Sequence, residues 1–241
     1  FHGVTLYAGA PPGDRGTAYR WPLMDPIAFK ESLRFTIEHR GSVMDDTVPI
    51  DKANLGSSGE RPDWVSSVGF WYQYPPVTIA EALPPTEKRI APYRVLPVGK
   101  LTRRTDPDSR VLPSHVGVQY LTKGPEGFIE FDFTADKAGR YQISGIFNDN
   151  PFSAVFQPVL DGKKIGLPVD MAVADGGFTW HNFDLHDLEA GTHTLRFEKL
   201  DIRTPAMRSV DFTEDVFTIE YLVLLRLEDM EGYHAIYNEK K

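Results

Sequence analysis

From Ser114 onward the chain alternates apolar and polar positions with a period of two. Val116, Val118 and Tyr120 are spaced by small or polar residues, and residues 128–133 read Phe-Ile-Glu-Phe-Asp-Phe. Gly139-Arg140 punctuates the chain before Tyr141, Ile143 and Gly145. Residues 155–160 run into Asp161-Gly162, a dipeptide suited to a two-residue hairpin turn because both central positions take positive φ. Phe183 and Leu185, then residues 193–197 (His-Thr-Leu-Arg-Phe), continue the pattern. A last long segment, 217–227, sets Ile219, Tyr221, Val223 and Leu225 on one face. Alternation of this kind marks strands with one buried face. Six or seven of them, separated by turn residues, predict a β-sandwich.

The first third carries the same signal twice. In 33–39, Leu33, Phe35 and Ile37 alternate with Arg34, Thr36 and Glu38; in 66–73, Val68, Phe70 and Tyr72 alternate with Ser67, Gly69, Trp71 and Gln73. Residues 1–7 predict a further strand, and Asp25-Pro26 predicts an N-cap and first helical position, hence a short turn through Phe29. The connection 40–63 holds Asp45, Asp46, Asp51, Glu60 and Asp63 and the run Gly56-Ser57-Ser58-Gly59. Its length predicts either a solvated excursion or a lid or oligomer contact. Prolines recur from 84 to 113 without a period, which predicts an extended linker. The expected organisation is therefore a first domain portion at 1–83, a Pro-rich linker at 84–113, a sandwich at 114–228 and a tail at 229–241. The tail, with Tyr233 and Tyr237 among charges, reads equally as an arm toward a neighbour or as a frayed end.

With 41% hydrophobic and 12% aromatic residues among 241, the chain is globular and long enough for one large or two modest domains. A formal charge of −8 argues against a nucleic-acid partner, which needs clustered Lys and Arg. The pairs Arg103-Arg104 and Lys163-Lys164 read as solvated turns. There is no cysteine, which excludes disulfides, a thiol nucleophile and Cys-based zinc sites. No apolar run approaches the ~18 residues of a membrane span. Opening on Phe1 fits a processed terminus or upstream residues, and the expected location is secreted, periplasmic or at the cell surface.

Glu38, His39, Trp21 and Trp71 fall where the two early strands end, and acids beside flat aromatic faces suit a sugar. Several motifs there are Phe1-His2-Gly3, Tyr19-Arg20-Trp21, Asp25-Pro26-Ile27-x-Phe29, Ser32-Leu33-Arg34-x-Thr36-Ile37-Glu38-His39 and Ser66-Ser67-Val68-Gly69-Phe70-Trp71-Tyr72-Gln73. In order and spacing they resemble the C-terminal half of the family catalogued as domain of unknown function 2961, or glycoside hydrolase family 172. The resemblance covers the first third. It implies a double jelly roll, exo-action on furanosidic bonds, carbohydrate as ligand, and a homo-oligomer. The family's upstream Gly-Thr-Glu-Asp-Tyr-type segment is absent, so the chain is expected to be the C-terminal part of a larger or cleaved protein or to have its partner half on another polypeptide, with a homo-oligomer or association with that N-terminal half as the expected partner.

Glycoside hydrolysis uses two carboxyl groups. Glu38 is the first candidate, as acid or acid-orienting group, and Asp63 the second; Glu38 reads alternatively as a surface carboxylate paired with Arg34 or Arg20. His39 would hold Glu38 or a sugar hydroxyl, Trp71 and Trp21 would stack on a ring, and Tyr72 would be core with Val68 and Phe70. Residues 188–198 and the closing strand resemble jelly-roll sandwiches appended to carbohydrate-active enzymes. The competing expectation is a non-catalytic structural or carbohydrate-binding β-sandwich. His181, His186 and His193 lack metal-ligand spacing and read as satisfied residues near turns. No nucleotide or redox cofactor is expected. Asp149, Asp161, Asp170 and Asp175 are the loop acids that a structural calcium would use, without EF-hand spacing.

Overall fold

A computed structural model describes residues 2–7, 16–24, 26–37, 40–44, 54–60, 65–77, 82, 84–123, 126–202 and 214–230. The protein is nearly all β. In chain order the strands are β1 (His2–Tyr7), β2 (Gly16–Arg20), β3 (Arg40–Met44), β4 (Asn54–Glu60), β5 (Arg94–Pro97), β6 (Arg103–Thr105), β7 (Arg110–Pro113) and β8 (Val118–Thr122). They continue as β9 (Phe128–Ala135), β10 (Gly139–Asp149), β11 (Val155–Leu160), β12 (Lys163–Lys164), β13 (Val169–Asp170), β14 (Gly177–Leu188), β15 (Gly191–Leu200) and β16 (Asp215–Arg226). Two compact units form, one from Phe1–Leu23 and Tyr93–Arg226, the other from Met24–Pro92 and Leu227–Lys241.

In the first unit β1 and β2 form an antiparallel ribbon. Strands β5 to β16 make a sandwich of two six-stranded sheets. Sheet I runs β14-β10-β16-β8-β7, with β5 also on β16; sheet II runs β12-β11-β15-β9-β6, with β13 also on β11. The long strands change sheet at each step, β8 to β9 to β10 to β11 and β14 to β15 to β16, as in a jelly roll. The alternation found in the sequence explains this. Inward positions Ile129, Phe131 and Phe133 of β9 and Leu195 and Phe197 of β15 are buried, as are Ile143 and Phe147 of β10 and Phe217 and Ile219 of β16. The Asp161-Gly162 turn is as expected: φ is 48° and 79°, and Leu160 pairs with Lys163 across it.

Several expectations are corrected. The proposed linker is largely sandwich: β5 pairs with β16, β6 with β9 and β7 with β8. Proline is tolerated there because Pro97 and Pro113 sit at strand ends, where no donor is needed. The apolar face read for the last strand shifts midway. A register irregularity lies where Ile219 and Tyr221 face β10, so Phe217 and Ile219 are followed inward by Leu222 and Leu224.

Glu220 occupies that irregularity. It is 2% exposed and sits between the two strands that share one side of β16, accepting hydrogen bonds from Ser114 Oγ at 2.5 Å and the Val116 N–H at 3.0 Å. Gly117 passes so close that a Cβ there would lie 2.0 Å from the Ile219 carbonyl oxygen.

In the second unit, β3 and β4 pair antiparallel within the connection expected to lack structure. Residues 32–37 and 65–73, expected to contain strands, have no regular structure, nor do 26–29, where a helical turn was expected. Phe35 is 73% exposed and Phe70 72%. Alternation prepares a strand, but a ladder needs a neighbour, and among the described residues neither segment has one. Tyr72, expected in a core, is 97% exposed.

The segment joining β6 to β7 crosses from sheet II to sheet I, and Asp106 pins it. Its carboxylate accepts from Tyr120 Oη at 2.5 Å, the Phe128 N–H at 3.1 Å and the Asp108 N–H at 3.2 Å. Burial raises the Asp106 pKa, but the Tyr120 and backbone donors overcome it and hold it low. Burial and the same carboxylate push the Tyr120 phenol up. Tyr120→Phe is expected to destabilise the protein by about 1.5–3 kcal/mol, the worth of a hydrogen bond to a charged acceptor. Urea unfolding measures it, and an unchanged midpoint would remove Asp106 from the list of cross-sheet ties.

Candidate functional site

Because Phe131, Leu195 and Phe197 turn inward, the residues between them turn outward and line up across sheet II. Register sets Arg104 of β6 opposite Glu130 of β9, Glu130 opposite Arg196 of β15, and Arg196 opposite Val159 of β11. One step along, Asp132 faces Thr194; one step the other way, Phe128 faces Glu198. Over these rows lies a groove of about 310 Å³ lined by Glu130, Val159, Gly162, Thr194, Arg196 and Glu198.

Hydrogen bonds hold the groove in place before any ligand arrives. Arg104 Nε donates to Glu130 Oε1, and Arg196 Nε donates to Glu130 Oε2 at 2.7 Å. Arg104 also takes Asp132 in a bidentate pair at 2.8 and 2.5 Å, and Thr194 Oγ1 donates to Asp132 at 3.1 Å. The Arg196 guanidinium carbon lies 4.0 Å above the Phe128 ring centroid, a cation–π contact, and its Nη1 is 3.7 Å from Glu198. Burial raises the Glu130 carboxyl, yet the two guanidiniums outweigh it and hold its pKa below the usual range. Hydrogen bonds from Arg104, then Thr194, hold Asp132 low as well.

This chemistry is fixed donors and acceptors. A carboxyl group kept ionised between two cations cannot deliver a proton to a leaving group at neutral pH, which a general acid requires. The lining carries two carboxylates and one guanidinium, so it does not attract anions.

Glu38, His39 and Asp63 lie outside the described residues. Trp21 is 39% exposed, with its ring 6.5 Å from Tyr19. Trp71 is 49% exposed and donates Nε1–H to Gln73 Oε1 at 2.9 Å. The groove residues were missed as a site, although the polar half of the alternation at 130, 132, 194, 196 and 198 already marked them as outward. The missing information was which of them face one another.

His181, His186 and His193 are satisfied residues. His181 Nε2 is 2.7 Å from Asp149, His186 Nε2 2.5 Å from the Phe183 carbonyl oxygen, and His193 Nδ1 2.7 Å from Asp161. Among the described residues no group of three or more His, Asp or Glu is placed to hold a metal ion. Of the loop acids, Asp149 meets His181 through Oδ2, Asp161 meets His193 and the Thr194 N–H, and Asp170 accepts the Ala172 N–H at 2.9 Å. Among the described residues no helix is long and apolar enough to cross a membrane.

No protein-family model matches the chain, and no curated protein does. Among solved structures it is similar to a xanthan lyase from Paenibacillus, at 11% identity and a TM-score of 0.47 over 58% of this chain and 14% of that one. A family 35 carbohydrate-binding module from Clostridium thermocellum is similar at 13% identity and TM-score 0.40, over 56% of this chain and 98% of the module. The C-terminal CBM6 of LamC, from Zobellia galactanivorans, is similar at 11% identity and TM-score 0.38, over 56% and 99%. At these values the likeness is one of β-sandwich outline and assigns no ligand to this chain.

The lowered carboxyls make an acid prediction. A depressed folded pKa contributes stability that is present above the unfolded value, about 4, and is lost as pH falls through the folded value. The thermal midpoint should therefore drop on acidification below about pH 4, less steeply in Arg104→Gln. Parallel pH profiles for the two proteins would show that the groove network does not contribute.

Proposed function

We propose that the sandwich binds a neutral carbohydrate chain across the outer face of sheet II. The observation that carries this reading is the groove itself, in which Glu130, Arg196, Thr194 and Glu198 form a prealigned row beside the apolar Val159. Vicinal sugar hydroxyls both donate and accept, and carboxylate and guanidinium groups meet such pairs two atoms at a time. The volume is near the lower end for a ligand cleft, suited to one or two rings of a chain that continues beyond it. Two carboxylates against one guanidinium disfavour uronates and leave neutral polymers as the better ligands.

Affinity electrophoresis through gels of neutral and uronate polysaccharides tests this. A neutral polymer should retard the protein, and Glu198→Ala, at the half-exposed edge of the groove, should weaken binding by about tenfold, the effect of ~1.4 kcal/mol. Retardation unchanged in the variant, or none with any neutral polymer, would refute the reading.

The motifs of the first third support a wider setting: a family 172-type glycoside hydrolase acting on furanosides, completed by the upstream acidic segment on a longer form of the chain or on a partner polypeptide. In that setting Glu38 serves as acid or acid-orienting group, Asp63 is the candidate second acid, and His39, Trp71 and Trp21 are candidate sugar contacts. In the complete assembly Glu38→Gln should reduce turnover by at least about a hundredfold; full activity would return Glu38 to a surface ion pair.

A further inference from the structure

One wall of the groove is the Asp161-Gly162 turn, tied down by the Thr194 backbone and by a histidine. Gly162 lines the groove. Asp161, at φ 48°, makes two backbone-linked contacts with β15: its N–H donates to the Thr194 carbonyl oxygen at 2.9 Å, and its Oδ1 accepts the Thr194 N–H at 2.8 Å. Its other oxygen lies 2.7 Å from His193 Nδ1. The second ring nitrogen, Nε2, is 2.9 Å from the Glu189 carbonyl oxygen in the β14–β15 connection.

Both ring nitrogens therefore face acceptors. A neutral imidazole has one N–H and satisfies one of them; only the imidazolium donates to both. The ring also packs against an apolar neighbour, Phe133, its register partner on β9, with ring centroids 5.7 Å apart. The ionisable groups that act on it are Asp161, from the β11–β12 turn, and Glu189, from the β14–β15 connection. Both are acidic. The His193 side chain is 12% exposed and the Asp161 side chain 45%, so the contact lies at the solvent boundary and is partly screened by salt.

We propose that His193 is a positioning residue for the groove: as imidazolium it ties the Asp161-Gly162 wall to the β14–β15 connection, and its deprotonation removes one of those two ties and loosens that wall. Resting on the binding reading, this makes the groove a better ligand site in mildly acidic than in alkaline solution. Burial lowers the His193 pKa, but Asp161 and the Glu189 carbonyl outweigh it and raise the value above 6.5. The sign follows. The clamp is fully present below the unfolded value and is lost as pH rises through the folded one.

The test needs no ligand. Amide hydrogen exchange of Thr194 and Asp161, corrected for intrinsic rates, is followed from about pH 5.5 to about pH 9 alongside the His193 ring resonances. Protection should fall by roughly threefold to tenfold, one hydrogen bond's worth, with the same midpoint as the ring. His193→Gln should abolish the step. Asp161→Asn keeps a residue that tolerates positive φ and should bring the His193 midpoint down while preserving the fold. Flat protection in the wild-type chain, or a step that survives His193→Gln, overturns the proposal. Polysaccharide retardation at the two pH extremes should change by the same factor. If the protein binds no polysaccharide at either pH, the binding reading fails while the exchange data still decide the clamp.

Discussion

Phe147 of β10 and Phe217 of β16 meet edge to face with centroids 5.5 Å apart, and the sandwich is arranged to keep them there. Phe147 also meets Phe183 and Phe197, at 6.0 and 5.7 Å, and Phe217 meets Phe156 and Phe197, at 4.8 and 4.9 Å. The cluster therefore draws on β10, β14 and β16 of one sheet and β11 and β15 of the other. Edge-to-face contacts contribute about 0.5–1.5 kcal/mol each beyond burial and are directional. They fix which residues of each strand point inward, and not merely how much surface is hidden.

The groove on the far side of sheet II is the consequence. With Leu195 and Phe197 committed to the core, Thr194, Arg196 and Glu198 have to face outward, because a slip of one residue would exchange the two sets. The outward set is then tied across strands, with Glu130 as the shared acceptor of Arg104 and Arg196. Partly exposed ion pairs contribute little to stability. Their larger effect is to hold side chains in one arrangement, so that a ligand need not order them. The same network keeps Glu130 ionised, which suits it to accept hydrogen bonds and unsuits it to donate a catalytic proton. Binding and acid catalysis make opposite demands on a carboxyl group, and this one meets the first.

The paired-turn geometry adds a dependence that the groove alone would lack. The Asp161-Gly162 wall belongs to a two-residue turn, the shortest hairpin connection, and is held by the Thr194 backbone and by His193. Glu130 and Asp132 are held below the usual carboxylate range, whereas His193 is held above the free imidazole value. The groove face thus rests on two titrating networks with opposite pH directions.

The long strands β8, β9, β10, β11, β15 and β16 and part of β14 were legible because each carries its own record of burial in its alternation, and the Asp161-Gly162 turn because positive φ at both positions favours those residue types. What the sequence determined alone was which residues of a strand share a face. It could also mislead: residues 33–37 and 66–73 alternate as well as any strand in the sandwich, yet among the described residues neither finds a ladder. Prolines near 97 and 113 suggested a linker where short strands close the sheets at their ends. Tertiary structure alone decided that Arg104, Glu130, Arg196 and Val159 form one row, that Glu220 interrupts the face of the last strand, and that His193 reaches two acceptors from two turns. Each depends on strand order and register between segments distant in the chain. Those are set by mutual packing of the inward rings, which no local pattern records.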